Sequence, residues 1–118
     1  LERLFRDMGV DLHLSGHHHA FYPGVVDGLS VVSQACLGAG PRRLIGSTRR
    51  SEPAITLLEF SSEGDIRVSA VTGSRFSDPV NVSELPERIR SPLRIIERLD
   101  ISPTETVEWQ NSFRATSE

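Results

Sequence analysis

Lysine is absent from this chain of 118 residues, whose 13 basic residues are all arginine set among 16 acidic ones, for a net charge of −3. The arginines are scattered between the acids, which excludes the basic stripe that grips nucleic acid. Cysteine is nearly absent too, and the single Cys36 excludes an intramolecular disulfide framework. No apolar run approaches the roughly 18–20 residues that a membrane-spanning helix requires, so no membrane segment is expected in this portion. There is no internal repeat and no low-complexity tract. What remains has an apolar fraction of 37%, ordinary for a soluble globular domain, in a chain long enough for one small core.

The opening residues Leu1, Leu4, Phe5 and Met8 recur at spacings of three and four, with Glu2, Arg3, Arg6 and Asp7 between them. This pattern predicts an amphipathic helix that stops at Gly9 and that the chain enters mid-element. Residues 10–14 then alternate apolar and polar, as a half-buried strand does, until Gly16 breaks the pattern. A helix feeding into a strand points to an α/β or layered α+β fold. Asp27-Gly28 between two apolar runs predicts a hairpin, and Ser61-Ser62-Glu63-Gly64 predicts another between strands at 54–60 and 65–72. Beyond Gly73 the chain is punctuated by prolines. One short helix is expected after Ser91, with Pro92 in its first position and Leu93, Ile95, Ile96 and Leu99 as its apolar residues. From about residue 100 a peripheral or partly disordered tail is expected.

Between the first strand and the first hairpin stand three consecutive imidazoles, His17, His18 and His19, directly after Gly16. Neutral imidazole is the commonest protein metal ligand, and glycine permits the sharp exit from a strand that such a turn requires. In an extended segment alternate side chains point the same way, so His17 and His19 can converge while His18 points aside.

Gly16-His17-His18-His19, with a strand and an amphipathic helix before it, resembles the C-terminal Gly-His-x-His motif of the calcineurin-like metallophosphoesterases. The wider run from Asp11 to Gly24 resembles that family as well, and the loop Gly38-Ala39-Gly40-Pro41-Arg42 is similar to the segment downstream of the motif in some bacterial members. The resemblance covers roughly residues 1–72. It implies an α/β (α+β layered) architecture, the C-terminal part of an αββα sandwich truncated at its N-terminus. Residues 1–75 would belong to that domain and 76–118 to a helical or irregular extension.

The activity implied is metal-dependent hydrolysis of a phosphate ester. His17 and His19 would each direct a nitrogen to one of two divalent ions, Mn, Fe or Zn, which activate water and neutralise the phosphate oxygens. In the family the other metal ligands and the proton donor to the leaving group lie N-terminal to this motif, so the 118-residue portion alone is expected to be inactive. His18 departs from the family, where a small hydroxyl residue is common.

Other positions weigh less. Tyr22, close behind the histidines, and Arg42, in the glycine-rich loop, are candidates for substrate contact, with Arg43 beside them. His13 reads as structural and Cys36 as a small buried hydrophobe. The charges from Glu84 to Arg98 read as a solvated face. Two alternatives stand beside the hydrolase: a metal-binding module without catalysis, and a structural remnant without activity.

Overall fold

The computed structural model describes residues 1–16, 19–37 and 52–110. Helix α1 (Glu2–Asp7) ends where the sequence places its stop. Gly9 takes φ +83°, and the amides of Gly9 and Val10 return to the carbonyls of Arg6 and Phe5, closing the helix in a left-handed cap. None of its residues is buried. The helix is tied down by polar contacts instead. Arg6 Nη1 donates to the Asp27 carbonyl at 2.9 Å, and Glu2 pairs with Arg94, whose hydrogen bond holds the Glu2 carboxyl below its ordinary pKa.

Strand β1 (Leu12–Ser15) follows, then β2 (Tyr22–Val26) and β3 (Leu29–Ser33). Asp27 and Gly28 have φ of +50° and +80°, the pair of positive values that matches a two-residue turn to the right-handed twist of its strands. The second expected hairpin is also present, as β4 (Ala54–Phe60) and β5 (Ile66–Thr72), paired antiparallel along their whole length. The chain continues through β6 (Asp78–Pro79), a single 3₁₀ turn at Val82–Glu84, β7 (Arg88–Arg90), β8 (Ile95–Arg98) and β9 (Val107–Trp109).

These strands make two sheets. The first has the order β1-β3-β2-β8-β7, with β1 parallel to β3 and the other pairs antiparallel. The second is built on β5, with β4 along one edge and β6 and the parallel β9 on the other. Between them lies the core. Phe21, Val32, Ala35 and Leu99 meet Ala54, Ile66, Val68, Ala70 and Val107 there. Each fully buried Val or Leu in it is worth about 1.5–3 kcal/mol.

The α/β reading is thereby corrected. The described residues are mostly β, in two mixed sheets with one short helix, and do not form the α/β (α+β layered) αββα sandwich implied by the family resemblance. The segment expected as a helix after Ser91 is the β7–β8 hairpin. Pro92 occupies its turn, where the Ser91 amide donates to the Arg94 carbonyl at 3.0 Å, and Leu93 is 95% exposed. The fixed φ of proline suits a helix's first residue and a turn equally, so local sequence leaves the two open.

The expected tail is also part of the fold. Val107 is fully buried, Trp109 packs on Phe21 with ring centroids 5.7 Å apart, and Thr104 Oγ1 lies 2.7 Å from the buried Ser30 hydroxyl. Residues beyond 76 therefore supply strands to both sheets. Arg98, read as part of a solvated face, is buried. Its guanidinium donates twice to Asp100, at 2.7 and 3.1 Å, and once to the Leu85 carbonyl at 2.7 Å.

Candidate metal-binding turn

β1 and β2 are joined by the segment that carries the histidines, and both flanks of this segment are held by one residue position. Ser33, the last residue of β3, is in register with Ser15 on the β1 side and with Tyr22 on the β2 side. Beyond these ladders, the Gln34 amide donates to the Ser15 carbonyl at 2.8 Å and the Ser33 hydroxyl donates to the Ala20 carbonyl at 2.8 Å. Ala20 and Phe21 are 1% and 4% exposed, so the chain re-enters the core immediately after His19.

His19 is half-buried and has φ +57°. A left-handed conformation costs a residue with a β-carbon about 1–2 kcal/mol, so neighbouring contacts must hold it. It also corrects part of the geometric expectation. The alternation of an extended strand does not continue through His19, and convergence with His17 cannot be derived from it. His17 and His18 lie outside the described residues, as do Arg42 and Arg43.

Tyr22 is described, and it is not placed to meet a substrate. It is 3% exposed, and its hydroxyl donates to the Pro86 carbonyl at 2.7 Å. Burial pushes its pKa well above the ordinary phenol value. Tyr22 and Arg98 together fasten the consecutive carbonyls of Pro86 and Leu85 to the first sheet. Cys36 is half-buried rather than enclosed.

His13 packs its ring on Phe5, with centroids 5.2 Å apart, as a structural histidine does. Asp11 precedes β1 and Ser15 ends it, so Asp11 lies about 13 Å from the start of the turn at the usual strand rise. Among the described residues, no group of three or more His, Cys, Asp and Glu side chains is disposed to hold a metal ion. The donor type at the turn does fit a borderline divalent ion, since imidazole nitrogen suits Zn and Fe.

A cleft of about 780 Å³ lies at the opposite end of the first sheet, lined by Arg6, Asp11, Asp27, Arg88, Glu97 and the segment 102–106 among others. Two of its acids are paired within the protein. Arg88 Nη2 lies 3.6 Å from Glu97, and Arg3 Nε lies 3.9 Å from Asp27. Among the described residues no helix is long and apolar enough to cross a membrane.

In comparisons with known proteins, no family model, no curated protein and no solved structure gives a significant match to this chain.

Proposed function

We propose that this chain contributes the histidine turn of a metal-dependent phosphoester hydrolase. The observation that carries the reading is the placement of the Gly16-His17-His18-His19 run at the C-terminal end of β1, parallel to β3, with both flanks bonded to the end of β3. Because β1 and β3 are parallel, their C-terminal ends lie on the same side of the sheet as the run. A divalent ion at His17 and His19 would supply an activated water and a counter-charge for the phosphate oxygens. The role of the chain in this reading is to supply two imidazoles between flanks bonded to the end of β3.

Two imidazoles leave an octahedral or tetrahedral ion short of ligands. In this reading the remaining donors come from polypeptide outside these residues. The edge strand β1 is the side on which such polypeptide would pack, because Leu14 is 52% exposed there and Leu1, Leu4 and Met8 of the adjoining helical segment are 55–74% exposed.

The test is phosphoester hydrolysis with Mn²⁺ by a longer polypeptide carrying this chain, compared with His17→Ala, His19→Ala and both together. The double replacement should remove at least about three orders of magnitude of rate, as loss of metal activation does. Full activity in the double variant would overturn the proposal.

A further inference from the structure

We propose that the open edge of β7 takes an extended acidic peptide, which adds to the first sheet as a further strand. This stands apart from the metal reading, since among the described residues β7 is the outermost strand on the side away from β1. The bonds at the two ends of the β7–β8 ladder fix which backbone groups face outward. The Arg98 amide donates to the Glu87 carbonyl at 2.9 Å, and the Ser91 amide donates to the Arg94 carbonyl at 3.0 Å. Bonded positions alternate in an antiparallel pair, so Glu87, Ile89 and Ser91 turn their backbone groups to β8. Arg88 and Arg90 turn theirs to the open edge, where an added strand would bond them.

The side chains give that edge its charge. Along β7 the pattern is exposed, buried, exposed, so both guanidinium groups stand on one face while Ile89 is buried on the other. Arg88 and Arg90 both line the cleft. Arg90 has no ionic or hydrogen-bonded side-chain partner among the described residues, and Arg88 lies 3.6 Å from Glu97, too far for a hydrogen bond. A strand added about 4.8 Å beyond β7 would set every second side chain on the arginine face. Acids at those positions would meet two guanidinium groups directly. Of the acids borne at the strands, Glu97 is one strand further in, on β8, and Asp27 and Asp11 lie beyond it at the ends of β2 and β1. The same charges argue against a second copy of this chain as the occupant, because pairing β7 with itself sets arginine beside arginine. A short edge strand that carries like charges resists its own kind and attracts a strand of the opposite sign.

Titration of the isotope-labelled 118-residue chain with a synthetic peptide of alternating glutamate and threonine tests the proposal, with amide chemical shifts as the readout. The Arg88 and Arg90 amides should shift most. A peptide of alternating lysine and threonine should leave them unchanged, and so should the glutamate peptide with its amides N-methylated, because it cannot donate to the edge. Arg90→Glu should weaken binding of the glutamate peptide about tenfold and admit the lysine peptide instead, an exchange of preference that a folding defect does not produce. The proposal is overturned if the β7 amides do not respond to the glutamate peptide, respond equally to the lysine peptide, or respond fully to the N-methylated one. It is also overturned if they shift with protein concentration alone, since a second copy would then be the occupant.

Discussion

The two ends of the first sheet differ in kind. At one end is a cleft with room for a ligand, where Arg88 faces Glu97 and the walls carry acids and bases together. At the other end is a short segment whose sequence concentrates imidazoles between two flanks bonded to the end of β3. Space and chemistry are separated by the length of β1. A cavity lined by acids and bases together favours neither sign of ligand charge, whereas in the proposed reading the imidazoles need donors from outside to complete the shell of an ion.

That contrast depends on the contact between β2 and β8, which joins the two ends, and the largest disturbance should come from breaking it. Arg98→Ala leaves the Asp100 carboxylate and the Leu85 carbonyl without their donor, in a place where the side chain is 8% exposed. Chemical denaturation should register a loss of about 2–4 kcal/mol. Gly24→Ala should come next at about 1–3 kcal/mol, by overpacking. A β-carbon there would stand 2.4 Å from Ile96 Cγ2 and 3.1 Å from the Glu97 carbonyl. Both changes should weaken turn and cleft together.

Smaller changes should separate the ends. Tyr22→Phe removes the bond to Pro86 and should cost about 1 kcal/mol, with hydrolysis by a longer polypeptide unaffected, because the ring is core rather than substrate surface. The same residue sets a pH dependence. Its folded pKa is raised by burial, so its contribution is fully present below the unfolded value of about 10 and is lost as pH rises beyond it. Denaturation monitored from neutral pH upward should show that alkaline loss in the wild type and a smaller one in Tyr22→Phe. Least of all, Arg90→Ala in the cleft wall should stay within about 0.5 kcal/mol and leave Mn²⁺ binding at the turn unaltered.

Much of the local structure was legible from residues whose backbone preference admits one reading. Gly9 stopped the helix, Asp27-Gly28 took two positive φ values, and Ser61 to Gly64 closed the β4–β5 hairpin. Pro92 was not decisive because its φ serves a helix start and a turn alike, and the strand that joins residues 97 and 98 to the rest of the sheet lies 72–74 positions upstream, at Val25 and Gly24. For the same reason β9 resembles a tail in sequence: its burial depends on pairing with Ile66 to Val68, which no window around Val107 contains. Arg98 is not a surface charge because only the folded loop brings Leu85 beneath it. At the candidate site the motif was visible, but its support was not, since Ser33 and Gln34 reach partners 13 and 20 residues away.

The separation of the two ends is tested most directly by Mn²⁺ titration of the isotope-labelled 118-residue chain, with paramagnetic broadening of backbone amide signals as the readout. Manganese takes carboxylate oxygen more readily than imidazole nitrogen, so the acids of the cleft compete at an advantage and selective binding at the turn is a stringent result. The account predicts early, selective broadening at Gly16, His19, Ala20, Ser33 and Gln34. Broadening that begins instead at Asp11, Asp27, Glu97 and Glu105, with the turn signals unchanged, would contradict it.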